Sequence, residues 1–448
     1  MAQKAIVRTT LTNYRQKENP LESENPMPKS NFRIAFFYSD TGGGHRSAAN
    51  AIDSAVKELI ARDSRGYTFE LSADAIVEKS HPVNKKFVDL YNYLLGHRQD
   101  WMKYYFWFIQ TFKPNDSELG YIIVKRYLSK LFSESQPDVI VSVHPMTNQY
   151  VARALKDLGL DDKVKLLTVV TDPNGNFWRG WACPDSALTV VPNSLSKQQL
   201  VEWGVPAEKI RIVGMPVNPQ FLKPPLTTRK EFMESLGLDA QKTTVFLNAG
   251  WAGGGNMLDM YHQLSKSQKD IQIIFLCGRN EELYNKVKNA AAGNPIPTAV
   301  MPYYDRMSDI MSHVDLMVTK AGGLTTFEAI AKKLPLVFDT ITAPMPQELG
   351  TVELLVKENL AYKVENPEDI LQIVERFTPI ADRENYKLPT RYSLDRTAAV
   401  YDIARMILGF CDASFSPVFD PASGSVREAV RPDYSKHAIL DISQGQTT

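Results

Sequence analysis

The chain has no stretch approaching the ~18 consecutive apolar residues of a membrane-spanning helix. Its opening, Met1 to Ser30, carries Glu18, Glu22 and Glu24 and lacks the apolar centre of a signal peptide; the same acids argue against an organellar transit peptide. Cysteine is scarce. Cys183, Cys277 and Cys411 lie far apart, in neither a zinc-binding Cys-x-x-Cys spacing nor the even-numbered framework of a secreted domain. These absences favour a reducing, cytoplasmic setting in which any membrane contact is peripheral. A surplus of positive charge is also missing, since Lys plus Arg and Asp plus Glu each total 51. General nucleic-acid binding draws on such a surplus, so no nucleic-acid partner is expected and anion recognition must be local.

What is present is apolar sequence enough for more than one core, 448 residues of which 44% are hydrophobic. From Arg33 to Gly214 short apolar runs (Ile34–Tyr38, Val139–Val143, Leu166–Thr171, Leu188–Val191, Ile210–Val213) alternate with helical patterns such as 47–62, 147–158 and 194–203. This is the pattern of parallel βαβ units. Four prolines between Met215 and Pro225 mark a linker. A second alternation follows, with strands expected at Val245–Leu247, Ile271–Leu276, Leu316–Val318 and Leu336–Phe338. The expected fold is therefore α/β, two Rossmann-like domains facing a central cleft. We expect a flexible segment over 1–30, domains over 31–222 and 223–410, and a polar tail over 411–448. The stretch 395–410 reads as a helix able to pack back across the domain junction.

The most informative segment is Ser39-Asp40-Thr41-Gly42-Gly43-Gly44-His45-Arg46, between an apolar strand and a helical pattern. Gly42, Gly43 and Gly44 let a ligand approach bare amides at a helix start, where negative charge is favoured. His45 adds a titratable group there, a candidate base. A plain tight turn would use the same glycines. The second half opens similarly, with the glycine turn 249–256 that includes Gly250. A further glycine turn follows Leu316–Val318: amides at Gly322, Gly323, Leu324 and Thr325 could hold a diphosphate, with the Thr325 and Thr326 hydroxyls as extra donors. Glu328, a turn into that helix, suits two ribose hydroxyls or merely complements the helix dipole. Gln347 and Glu348, in a Pro-rich loop, suit the hydroxyls of a sugar ring, although by themselves these residues read more readily as a plain surface turn. His144 and Asp172 end expected strands and could assist catalysis or cap the loops that follow. Asp-x-Asp occurs nowhere, so a metal-held diphosphate is not expected and no cofactor is called for.

Between Phe87 and Phe112 lie ten aromatics, among them Trp101, Tyr104, Tyr105, Phe106, Trp107 and Phe108, interleaved with Lys85, Lys86, His97, Arg98 and Lys103. Rings with basic neighbours suit the headgroup layer of an anionic bilayer, and the density favours that over a helix pair packed wholly in a core.

Taken together these segments resemble the lipid-sugar transferases of the GT-B fold, above all the plant monogalactosyldiacylglycerol synthases and the bacterial processive diacylglycerol β-glucosyltransferases. The opening 39–49 carries the resemblance most specifically, supported by Ser142-Val143-His144-Pro145, Val170-Thr171-Asp172, Gly214-Met215-Pro216-Val217 and the run from Thr319 to Ala329. It implies a UDP-hexose donor, UDP-galactose or UDP-glucose, a diacylglycerol acceptor and a place on the inner face of a membrane. It further implies that His45 is the base, that Glu328 is the donor-site glutamate and that Gln347 and Glu348 contact the sugar. The segment Gly322-Gly323-Leu324 lacks the Gly-Pro-Gly of the plant enzymes and is nearer the glucosyltransferases, and Pro346 stands where a glycine is usual. Two other readings fit the same residues: an enzyme of this fold acting on a soluble acceptor or epimerising its donor, and a non-catalytic sensor of UDP-sugar at the membrane.

Overall fold

The computed structural model describes residues 30–416 apart from 99–100, 113–115, 174–176 and 382–397. The expected N-terminal segment, up to residue 29, and the tail beyond 416 therefore lie outside the described residues, as do the side chains of His97, Phe106 and Pro346. Twelve strands form two parallel sheets. The first holds β1 (Asn31–Tyr38), β2 (Thr68–Ala75), β3 (Val139–Ser142), β4 (Lys165–Val169), β5 (Leu188–Val191) and β6 (Ile210–Ile212), in the order β2-β1-β3-β4-β5-β6. The second holds β7 (Thr243–Asn248), β8 (Ile271–Leu276), β9 (Thr298–Met301), β10 (Leu316–Thr319), β11 (Leu336–Asp339) and β12 (Ala361–Val364), in the order β12-β11-β10-β7-β8-β9.

Central strands in such sheets are covered on both faces, so they read as unbroken apolar runs. Residues 34 to 37 of β1 are all buried, as is the whole of β8. Sequence reading missed β2, β9 and β12, and each is an edge strand. Edges keep polar and half-exposed positions (Thr68, Glu70, Tyr362, Lys363), which dilutes the apolar signal.

Strand order sets where ligands can enter. In the first sheet β1 leads outward to β2 on one side and to β3 on the other, so the order reverses between β1 and β3. In the second it reverses between β7 and β10. Crevices open at the carboxyl ends of strands at such reversals. The segments leaving β1, β3, β7 and β10 carry His45, His144, Gly250 and the 322–325 turn, His45 and residues 323–325 in the first turns of the helices that follow.

The halves are not independent bodies. The Ala399–Cys411 helix crosses back and packs on the Gly44–Ala61 helix. Val400, Ile403, Ala404 and Ile407 share one core with Ile52, Ala55 and Val56. The Tyr401 hydroxyl donates to Glu58 Oε2 at 2.7 Å.

Candidate active site

The turn after β1 fixes the candidate base. Gly42 and Gly43 adopt φ of +69° and +79°, left-handed values that a Cβ would strain, and Gly43 caps the helix beginning at Gly44. His45 Nδ1 lies 2.8 Å from the Val143 carbonyl. A carbonyl only accepts, so Nδ1 carries the proton and Nε2 keeps its lone pair. Burial pushes this ring down to about 4, against the opposing pull of that carbonyl. The near-neutral value that general-base chemistry prefers is therefore not what the free protein holds: the orienting group is a backbone carbonyl, not a carboxylate that would stabilise a charged ring.

His144 is a different kind of residue. Its Nδ1 accepts the Met146 N–H at 3.2 Å and its Nε2 then donates to Thr41 Oγ1 at 3.0 Å. Both nitrogens are used and the ring is buried, packed edge-on against His45 with centroids 4.4 Å apart. It packs against the candidate base and has no lone pair left to act as one. Asp172 is likewise committed: its Oδ2 accepts the Trp181 indole N–H at 2.6 Å, and burial pushes the carboxyl up to about 6.

The donor side is built at the other reversal. The Gly323–Ala331 helix starts with amides of Gly323, Leu324 and Thr325 that meet no acceptor among the described residues. Three of the sequence expectations change here. The Gly322 N–H is already given to the Lys320 carbonyl at 2.8 Å. The Thr326 hydroxyl is buried and donates to the Gly322 carbonyl at 2.8 Å, so it is no extra donor. The Leu324 side chain is buried in the core of the first half, leaving only its amide to face a ligand. Glu328 has no side-chain hydrogen bond among the described residues, and burial pushes it up to about 7. Gln347 and Glu348 sit in the first turn of the Pro346–Lys357 helix, not in a loop. Burial pushes Glu348 up to about 7, opposed by the Met345 N–H at 3.3 Å and by Lys320, and reinforced by Asp172.

Lys320 was not singled out from sequence, although it directly follows β10 beside the glycine turn. With Ala321, Asp339, Thr342, Pro344 and Glu348 it lines an open pocket. Burial pushes the ammonium down, and Asp339 and Glu348 pull it back. Gly255, at φ of +89°, leaves the room Lys320 needs, since an added Cβ would lie 2.8 Å from its Cε. Gly250, at φ of +74°, turns the second glycine loop, its N–H held by Asn248 Oδ1 at 3.0 Å. Among the described residues no three His, Cys, Asp or Glu side chains are grouped as a metal site requires.

Base and donor turn meet. A Cβ on Gly323 would lie 3.2 Å from the Thr171 carbonyl, and Thr171 Oγ1 is 3.2 Å from His45 Nδ1. One residue therefore separates the free amides from the imidazole.

The aromatic segment divides. Trp101, Tyr104, Trp107 and Phe112 are exposed, as are Leu119 and Ile122 on the Glu118–Ser135 helix. Arg98 covers the Trp101 ring at 4.8 Å and Lys103 the Tyr104 ring at 5.1 Å. Tyr105 departs from expectation: it is buried with Leu94, Met102, Ile109 and Met345, tying the segment to the second half, and so is unavailable to a bilayer. Phe108 is half-buried against Phe87, with ring centroids 6.1 Å apart. No helix among the described residues is long and apolar enough to cross a membrane.

Residues 45–217 match the family model of monogalactosyldiacylglycerol synthase, and residues 256–377 that of the glycosyltransferase family 28 C-terminal domain. The chain is a glycosyltransferase of the GT-B fold. It is 29% identical over 394 residues to a probable chloroplastic monogalactosyldiacylglycerol synthase of Glycine max, covering 86% of this chain and 72% of the relative. It is 25% identical over 399 residues to a processive diacylglycerol beta-glucosyltransferase of Staphylococcus carnosus, covering 87% and 95%. Among solved structures, MurG of Acinetobacter baumannii aligns with a TM-score of 0.50 at 12% identity, over 84% of this chain and 99% of that one. The UDP-GlcNAc 2-epimerase of Methanocaldococcus jannaschii aligns at 0.52 and 14%, over 84% and 99%. These two likenesses speak for the shared fold of the glycosyltransferase alone.

Proposed function

We propose that this glycosyltransferase moves a hexose from UDP-galactose or UDP-glucose to the free hydroxyl of diacylglycerol, working peripherally on the inner, anionic face of a membrane. The observation that carries the reading is the contact of the Gly323 turn with Thr171, which sets three unpaired amides beside an imidazole whose free nitrogen is Nε2. His45 Nε2 takes the hydroxyl proton as the acceptor oxygen bonds to the anomeric carbon. The bond from that carbon to the diphosphate breaks, its electron pair leaving with UDP, and the configuration inverts. The amides of Gly323, Leu324 and Thr325 receive the charge that develops on the leaving group, with Lys320 close by. Glu328 accepts the ribose hydroxyls, while Gln347 and Glu348 orient the hexose. The exposed rings of Trp101, Tyr104 and Trp107, with their basic neighbours, seat the first half at the lipid headgroups.

The test is incubation of purified protein with radiolabelled UDP-galactose or UDP-glucose and vesicles of diacylglycerol in anionic phospholipid. The expected result is label in a glycosyldiacylglycerol. Label found in water or in a soluble acceptor, with none in lipid, overturns the acceptor assignment.

A further inference from the structure

Gly42 is held from two sides. Its N–H donates to Asn92 Oδ1 at 3.0 Å, and Asn92 Nδ2 donates to the Asp40 carbonyl at 2.8 Å, so one amide side chain brackets the loop. The Gly42 carbonyl accepts the indole N–H of Trp251 at 2.9 Å. Asn92 comes from the Pro82–His97 helix and Trp251 from the glycine turn after β7, in the other half of the chain. The indole also lies on Gly43, where an added Cβ would stand 3.1 Å from its Cδ1 and Nε1. A bare left-handed glycine leaves that face open to the ring. His45 is three residues beyond Gly42.

The helix that supplies Asn92 has a second side. At about 100° per residue, Val83, Phe87 and Leu90 form one stripe and Asn92 lies roughly 180° from it. That stripe is exposed. The same helix therefore offers apolar side chains outward and a two-point grip on the base loop inward.

We propose that Asn92 and Trp251 are a positioning pair for the transfer: from the lipid-side helix and the donor half respectively, they hold Gly42 by its N–H and by its carbonyl, the two peptide groups that flank one Cα, and so place His45 only when both elements are seated. This rests on the transferase reading of the site. Neither side chain touches the reacting atoms in this scheme. A loosened loop misaligns the acceptor, whereas water, being small, still reaches the anomeric carbon. Loss of the clamp should therefore lower transfer more than donor hydrolysis.

Three variants test the pair: Trp251→Phe, which keeps an aromatic ring but loses the N–H donor and part of the indole's contact with Gly43, Asn92→Ala, and both together. Each single variant should lower kcat for transfer about 2- to 10-fold, the rate equivalent of one neutral hydrogen bond, and raise the share of donor lost to hydrolysis. Because both hold one residue, and its loop is released when either hold is lost, the double variant should lose no more than about twofold beyond the worse single one. Hydrogen exchange over residues 41–46, read without acceptor, should speed up in each single variant. Losses that multiply, an unchanged hydrolysis share, or unchanged exchange in both single variants overturns the pair. A wild type that makes no glycolipid overturns the transferase reading instead, and the exchange measurement then still decides the clamp.

Discussion

Replacing Glu328 by Gln removes a charge that the folded chain holds at a disadvantage. Burial pushes this carboxyl up from its ordinary 4.5 to about 7. The sign follows from proton counting. Between about 4.5 and 7 the folded chain keeps a proton that the unfolded chain has released, so stability falls as pH rises through that window. Above it the full penalty stands, about 3 kcal/mol at about 1.4 kcal/mol per tenfold change in ionisation. Gln titrates nowhere, so Glu328→Gln should match the parent near pH 4 and exceed it by about 3 kcal/mol at pH 8. In thermal unfolding this is a rise of roughly 6–12 °C for a cooperative unit the size of the second half. The same substitution should cost the donor dearly. A carboxylate accepting ribose hydroxyls forms charge-assisted bonds of about 1.5–3 kcal/mol, so KM for the UDP-sugar should rise roughly 10- to 100-fold. The assays are unfolding scans at pH 4, 6 and 8 and initial rates against donor concentration. Equal stability at pH 8 would mean that water reaches the carboxylate. An unchanged KM would mean that the ribose lies elsewhere.

Replacing His45 by Ala should lower kcat by about 10²-fold or more while leaving donor binding measurable by calorimetry; a rate within tenfold of the parent removes it as the base. Trp107→Glu should reduce co-sedimentation with anionic vesicles by about tenfold, whereas Tyr105→Phe, at a buried ring, should leave it unchanged; equal effects would mean the surface is wrongly drawn. Chelation by EDTA should leave the transfer rate within about twofold if helix amides and Lys320 manage the diphosphate, and a loss restored by Mg²⁺ would refute that arrangement.

The central strands were legible because parallel sheets covered on both faces force continuous apolar runs, as at Ile34–Phe37 of β1. The three that escaped notice are edges, where Glu70 or Lys363 is tolerated because one side faces solvent. Glycine turns were legible for a related reason: left-handed backbone at Gly42, Gly43 and Gly250 leaves few other residues to choose from. The polar partners were not. Nothing local marks Asn92 as the bracket of a loop 50 positions earlier or Trp251 as its clamp from the other half. Side-chain direction was equally hidden. Tyr104 and Tyr105 are adjacent in sequence, yet one is exposed and the other buried, since a helix turns about 100° between them.

The environment of the base changes how the chemistry must be shared. If His45 is the base, burial that pushes its ring down makes it weaker still than an ordinary imidazole, which is itself far too weak to generate an alkoxide in advance. Proton transfer has to accompany formation of the new bond, when the attacking oxygen becomes acidic. In the transfer proposed above, departure of the diphosphate then needs stabilisation of its own, which falls to the amides at Gly323, Leu324 and Thr325. Leu324 explains how those amides can be held where that departure occurs. Its side chain is rooted in the core of the first half, among residues that include Met215 and Val213, so the donor turn is anchored to the body that carries the imidazole. Rigid placement of donor amides relative to the base then comes from apolar packing, a short-range force that tolerates little displacement, while the hydrogen bond from Trp251 to the Gly42 carbonyl adjusts the loop itself.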